Sequence, residues 1–491
     1  MSAAAGGSFP KWVLLEPFVF RRDDDESFPD DTKAPIMASG TTSLEAPFNV
    51  AFSLAEPPLI SRLYAQLPGF PGPRKQVPLA ILATHRNLAL FRVATSVPGG
   101  FMWQDFFIYD SSCGDNPCSL KALPPCTEPD IDYFGLGPPP CTHGGEAEGA
   151  PANKRRLLAV KSMGILCRGE QDQFAVAELN LFKSRRTEVY ADICLFKSSS
   201  AQSSSFGWQD FFISLFKSSS AGHGDQIGGE WDSMRVPILH SGNPDDVCQL
   251  CLWQTDAVVP VGDRWLCWVD YYRGILFCDV FGEPDPTVSF LRFPLDKFPD
   301  THSRSRASSW LYRGVSAIDA GRKLKFVDVA RDDGIGYGAL KPNASFTITC
   351  HTLTLPVLGS SMVLNKDTLS SMVWNKDAPG ITSGELWRTD NGRLPREVLM
   401  FPQVNIDRPN VVHFLVISSY GYVMLKMWLV AVDMNTRTVE SVTQYINGEE
   451  DIGTEDADLT HGRSRCPMPF LPCEFSKYLR RSFLKVIYFA S

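Results

Sequence analysis

The chain has 491 residues, 44% of them apolar and 21% charged, with a formal net charge of −8. That composition belongs to a globular protein rather than a disordered one, and its acidic balance argues against a nucleic-acid phosphate backbone as the main partner. The length allows two or three average domains, or one large β architecture around a closed core.

At the start, "MSAAAGGSFPKWVLLEPFVFRRDDD" has no basic stretch leading into a long apolar core, so no secretory leader is expected. Residues 1–10 are expected to be disordered. "KWVLLEPFVF" (11–20) then predicts a strand, closed by the charge run Arg21 to Glu26. Without secretion, the thirteen cysteines read mostly as reduced, buried small hydrophobes, and the sequon at Asn343 has no meaning.

Helix signals are scarce and strand signals common. "LAILATHRNLALFRVAT" (79–95), "ILFCDV" (275–280), "KLKFVDVA" (323–330), "SFTITCHTLTL" (345–355) and "WLVAVDM" (428–434) are rich in β-branched and aromatic residues and bounded by turns. Several strands end in aspartate, at Asp110, Asp279, Asp328 and Asp433, which suits an Asx-type turn. Asp279 and Asp328 are 49 residues apart, and Asp328 and Asp433 are 105 apart. A period of about 50 residues, with several short strands in each unit, is what kelch-like propeller blades require. Radial stacking of blades also removes long free sheet edges. The fold class expected is therefore all-β, a β-propeller-like domain of about six or seven irregular blades with few helices. It would span 11–460 as one domain, with loop insertions near 111–153, 198–224 and 360–377, and 461–491 as a loosely packed tail. An N-terminal strand completing the last blade would suit such a ring.

One segment imitates a membrane span, "VVHFLVISSYGYVMLKMWLVAV" (411–432). His413, Lys426 and the central Ser-Ser-Tyr-Gly break favour a buried β-hairpin instead.

Two internal echoes stand out. LFKSSSA occurs at 195–201 and 215–221, with WQDFFI (208–213) between the copies repeating residues 103–108. "SSMVLNKD" (360–367) returns as "SSMVWNKD" (370–377). Shifts this short are too small for a blade and read as tolerated loop duplications.

Motifs for chemistry are weak. Cys248 and Cys251 make a CxxC, but Cys267 and Cys278 lie in apolar strand patterns rather than at ligand spacing. Cys113, Cys118, Cys126, Cys141 and His143 fit no standard zinc spacing and read as unpaired loop cysteines. No HExxH or GxSxG occurs, and Ser482 to Lys485 is only formally SxxK. "GIGYG" (334–338) reads as a turn, and "GEEDIGTEDAD" (448–458) as a solvated acidic loop. No catalytic, cofactor or metal residue is assigned.

In "RWLCWVDYYRGILFCDVFGEPDPTVSFLRFPL" (264–295), alternation puts Trp265, Cys267 and Val269 on one face and Leu266 and Trp268 on the other. Asp270 to Gly274 form the turn. Trp268, Tyr271, Tyr272 and Arg273 are interface-type residues and the candidate interaction surface, although aromatic packing between blades is the favoured account of them.

This segment and "AVDMNTRTVESVTQYINGEEDIGTEDAD" (431–458) resemble the plant proteins grouped as domain of unknown function 1618. "PKWVLLEPFVFRRDD" and "PMPFLPCEFSKYL" are similar to that family's edges, so the resemblance spans roughly 10–475. The two duplications and the final "FLKVIYFAS" depart from it. Such proteins also look like the propeller-type domains that follow F-box motifs, which implies a partner-binding module. The family has no assigned catalytic residues to carry over. The function expected is a non-catalytic protein-interaction module, monomeric and cytoplasmic or nuclear, with an unknown protein partner, no cofactor, no nucleic acid and no membrane. The rivals are an enzyme or carbohydrate-binding propeller using a central cleft, and a diverged copy with little function.

Overall fold

The computed structural model describes residues 9–71, 77–96, 102–113, 118–127, 155–169, 173–185, 188–198, 227–295, 308–334, 338–356, 364–390, 392–420, 423–448, 454–465 and 468–479. These residues are mostly β, with short helices, as the turn-bounded strand patterns require.

Strands come in successive groups. The first holds β1 (Val13–Arg21), β2 (Ile36–Thr41), β3 (Pro47–Ser53) and β4 (Ile60–Gln66). Next come β5 (Leu79–His85), β6 (Leu88–Ser96), β7 (Met102–Asp110), β8 (Cys118–Ser119) and β9 (Lys121–Ala122). The third group is β10 (Met163–Arg168), β11 (Gln173–Arg185), β12 (Glu188–Ser198) and β13 (Gly229–Leu239). Helix α1 (Pro244–Cys251) leads to β14 (Ala257–Val261), β15 (Trp265–Asp270), β16 (Gly274–Asp279) and β17 (Thr287–Arg292). After α2 (Ser309–Tyr312) come β18 (Arg313–Ile318), β19 (Lys323–Arg331) and β20 (Phe346–Thr354). Helix α3 (Lys366–Ser371), β21 (Trp374–Lys376), β22 (Ile381–Thr382) and α4 (Ser383–Thr389) complete that group. The last is β23 (Leu399–Val404), β24 (Val411–Tyr420), β25 (Val423–Asp433) and β26 (Thr438–Ile446), followed by α5 (Glu455–Arg465) and β27 (Leu471–Cys473).

Sheet order follows this grouping, except that β8 pairs parallel with β2 at the edge of the first sheet. β5-β6-β7-β9, β18-β19-β20-β21 and β23-β24-β25-β26 are antiparallel meanders. The third and fourth groups are also meanders, joined into one eight-stranded sheet by a short parallel contact between β13 and β17. Among the described residues the apolar cores follow chain order. One lies between the first and second groups, one between the second and third, and others between the third and fourth and between the fourth and fifth. A larger core joins the fifth and sixth groups to β1, through Leu14 and Phe20. Both faces of the sheets are thereby covered, which is why β15 and β16 read as unbroken buried runs.

The apolar segment 411–432 is a β-hairpin, with Val411 paired to Asp433 and Ser418 to Lys426. Among the described residues no helix is long and apolar enough to cross a membrane.

Two expectations need correction. The region from 461 is not a loose tail throughout, because β27 pairs antiparallel with β1 and Phe475 is fully buried. Nor does the N-terminal strand complete a last sheet. The late strand β27 instead occupies the edge position beside β1, whose other neighbour is β4. Apolar residues at Leu471, Cys473 and Phe475 supply the burial that fixes this strand.

Residues 199–224 of the expected insertion near 198–224 lie outside the described residues, as do 114–117 and 128–153 of the one near 111–153. The other echo folds in two ways. In the first copy Asn365 caps α3, its side chain accepting the Thr368 N–H at 2.8 Å. In the second, Trp374 to Lys376 form β21 on the edge of β20. The Trp374 indole donates to the Arg292 carbonyl at 3.0 Å and lies beside Phe293 and Phe326. Leu364 in the first copy has no indole N–H, so tertiary context rather than local propensity decides.

Candidate functional site

Of the Asp-ended strands, those of Asp110 and Asp433 make the Asx-type bonds expected of them, and those of Asp279 and Asp328 do not. Asp110 closes β7 and accepts the Ser112 N–H at 2.9 Å and the Asn87 side-chain amide at 2.7 Å. Asp433 closes β25 and accepts the Asn435 N–H at 2.8 Å and the Asn410 amide at 2.9 Å. In both, an asparagine between the first two strands of a group ties to the end of the third. Asp279 closes β16 and takes the Arg264 guanidinium at 2.7 Å from the same kind of turn. Asp328 lies inside β19 instead, paired across the ladder with Arg313 at 2.8 Å.

The predicted alternation in β15 holds, with Trp265, Cys267 and Val269 in the core toward the fifth group and Leu266 and Trp268 in the core toward the third. The four candidate interface residues, however, do not form an exposed patch. Trp268 is fully buried, its indole donating to the Ser162 carbonyl at 2.7 Å, and Tyr272 and Arg273 are buried too. Asp270, also fully buried, organises the turn. It accepts the Tyr272 and Gln254 N–H groups at 2.9 and 2.8 Å and pairs with Arg273 at 3.0 Å. A buried carboxylate this well satisfied fixes the hairpin's shape. Only Tyr271 reaches a cavity, and burial raises its hydroxyl pKa while it shares a hydrogen bond with the Val315 backbone.

That cavity, about 450 Å³, is lined by residues of β5, β14, β18, β23 and β27. Each of these strands is at the edge of its sheet. Ala83, Val259, Ala317, Val404 and Leu471 represent the five edges, and Gln403 adds an amide. At one end the turns crowd together. Gly262 and Gly321 both have positive φ, and a Cβ on Gly321 would lie 2.1 Å from the Gly262 nitrogen. Glycine is required there by backbone contact.

His85 sits at this end. Nδ1 accepts the Cys167 N–H at 2.8 Å, and the ring shares a second hydrogen bond with the Gly262 backbone. Burial, with Arg86 adding to it, pushes its pKa down to about 3. A neutral ring whose Nδ1 already accepts a backbone N–H ties the second strand group to the third. Asp319, at the rim, is held below the usual carboxylate range by Arg322, and it also lies 3.4 Å from Lys323. Chemically, the cavity offers apolar walls, an amide, a phenol and strand-edge backbone groups. This suits binding of a ligand that carries both donors and acceptors.

The remaining motifs resolve as follows. Cys113 and Cys118 are joined in a disulfide rather than left unpaired. Cys126 lies against Cys194, while Cys141 and His143 are outside the described residues. Cys248 is exposed and Cys251 half-buried on α1. Among the described residues no three His, Cys, Asp or Glu side chains cluster as metal ligands. The middle of GIGYG and the Ser482–Lys485 segment lie outside the described residues. The acidic run departs from its expected solvated loop. Glu455, Asp456 and Asp458 begin α5 and dock it on the first sheet, pairing with Lys33 and Arg62, with Arg62, and with Arg22. The cavity was not foreseen, since its walls come from five separate segments; the only sequence sign was the alternation that places Tyr271 in a turn.

No curated protein matches the chain. Residues 268–413, beginning at the buried Trp268 and ending at His413 in β24, match the family model described as protein of unknown function DUF1618.

Proposed function

We propose that the strand groups form a closed six-bladed ring, and that the ring is a non-catalytic module binding a protein partner at the mouth of its axial cavity. The observation that carries this reading is the convergence of five sheet-edge strands on one cavity. The first group contributes β27 in place of β1, and β10, the first strand of the third group, lies between β5 and β14. Edge strands carry unpaired backbone N–H and C=O groups, and an extended peptide is the ligand whose own backbone complements them. The commitment of His85 to backbone groups speaks against a catalytic cleft built on it.

Peptide-display selection on the full chain tests the proposal, with Gln403→Trp as the cavity-filling variant. Enriched peptides that bind the parent chain and lose at least tenfold in affinity for Gln403→Trp support it. No enrichment, or binding indifferent to the variant, overturns it. Stabilisation by a small metabolite in place of any peptide would favour the enzyme or carbohydrate reading.

A further inference from the structure

Cys126 and Cys194 meet in the core between the second and third strand groups, with their Sγ atoms 3.5 Å apart. Cys194 is central in β12, paired across the ladder to Ser233 of β13. Cys126 follows β9, on a stretch pinned at two points. The Trp231 indole donates to the Pro124 carbonyl at 2.7 Å, and the Arg156 N–H donates to the Cys126 carbonyl at 2.8 Å. Both cysteines are buried, Cys194 completely. A disulfide has its sulfurs about 2.0 Å apart, so the pair must close by roughly 1.5 Å, within reach of small side-chain rotations. The two backbones are already held in place, so neither segment has to be recruited. The hydrogen bond with Cys126, together with burial, raises the Cys194 thiol pKa. The reduced pair is therefore protonated and slow to react, and proximity rather than thiolate fraction selects it.

We propose that Cys126 and Cys194 are a latent disulfide, formed by hydroperoxide-class oxidants, that ties the second strand group covalently to the third. In the first step one thiol, as its thiolate, attacks the peroxide O–O bond, giving a sulfenic acid and hydroxide. The second thiolate displaces hydroxide from that sulfur, forming the S–S bond. The two thiol protons convert both hydroxides to water, so two thiols and one hydrogen peroxide give one disulfide and two waters. The bond joins residues 68 positions apart, and a closed loop of that size restricts the unfolded chain.

The test treats the full chain with hydrogen peroxide, blocks remaining thiols after unfolding, and maps disulfides by mass spectrometry. The expected product is a Cys126–Cys194 peptide pair lighter by two hydrogens, absent from Cys126→Ala and Cys194→Ala and lost on reduction. Peroxide-treated parent protein should melt several degrees above the untreated parent, a gain absent from Cys126→Ala treated in the same way. The proposal is overturned if Cys126 and Cys194 are recovered as free thiols once the exposed Cys248 is fully oxidised. Recovery as sulfinic acids, or bonded to other cysteines, also overturns it. The mapping uses the parent chain, so the result stands even if an alanine variant fails to fold.

Discussion

Glu16 and Arg463, 447 positions apart in the chain, form a two-pronged ion pair with both side chains buried. Arg463 Nη2 lies 2.9 Å from Glu16 Oε2, and Tyr445 donates its hydroxyl to the same oxygen at 2.8 Å. Arg463 Nη1 also reaches the Met468 carbonyl, and the guanidinium lies over Phe470. The cluster thus joins β1, β26, α5 and the approach to β27.

Removing one partner strands the other charge in the core. Arg463→Ala is expected to cost about 3–5 kcal/mol of unfolding free energy, and an apolar double replacement, Glu16→Leu with Arg463→Met, clearly less. Urea denaturation of the three proteins checks this. Equal losses in the single and double variants would mean that burial of an unpaired charge is not the cause.

Backbone contact between neighbouring groups predicts a graded glycine series. A Cβ on Gly314 would lie 2.1 Å from the Pro402 carbonyl oxygen, whereas Gly392 has nothing within 4 Å and a φ of +81°. Gly392→Ala should cost only the left-handed conformation, about 1–2 kcal/mol. Gly314→Ala must part β18 from β23, and thermal melting should place it well below Gly392→Ala.

Acid should loosen the fold through two histidines. His413 accepts a hydrogen bond from the Asn405 amide at Nε2, and burial, then Arg408, lowers its pKa to about 4; His85 is lowered to about 3. An unfolded histidine titrates at about 6.5. Below that pH the unfolded chain binds protons that the folded chain refuses. Their stability contribution is therefore complete above about pH 6.5 and falls as pH drops toward 4, by up to ~1.4 kcal/mol per pH unit for each histidine. Urea midpoints at pH 7, 6 and 5 should decline, and His413→Gln should flatten the decline. An unchanged slope in that variant would remove His413 from the explanation.

The two folded forms of the SSMV-NKD echo predict unequal tolerance. Trp374→Leu makes the second copy match the first, but it removes the bond to Arg292 and the contacts with Phe293 and Phe326. A loss of about 2–4 kcal/mol is expected for a large, partly buried side chain cut back this far. A change under 0.5 kcal/mol would show that β21 is not held by its tryptophan.

Legibility in the sequence followed the range of the interactions. Period-2 patterning located the strands, the hairpin at 411–432 and the two faces of Trp265 to Val269, because alternation is a local property. Asp110 and Asp433 were readable because an Asx turn needs only its own next residues. Asp328 looked the same, yet its partner Arg313 is a cross-strand neighbour, and strand pairing is not written in a single window. Interface-type residues at Trp268, Tyr272 and Arg273 are equally core-type residues, so composition alone could not tell which side of the sheet was wet. The acidic run misled for a related reason, since its counter-ions Arg22, Lys33 and Arg62 lie some 400 positions earlier. The cavity depends on the meeting of five distant edges.

Pairing of Leu471–Cys473 with Val13–Leu15 also sets a timetable. Val13 is made 460 positions before its partner Cys473, so the opening sheet waits through all of that synthesis with a bare flank. Its apolar residues Val13, Leu15 and Val19 can gather neighbours from the next group early, but the seam with Phe475 closes only once that distant segment has been made. A stalled or prematurely terminated product would carry that open, adhesive edge, and holdase chaperones should retain it while letting the finished chain go.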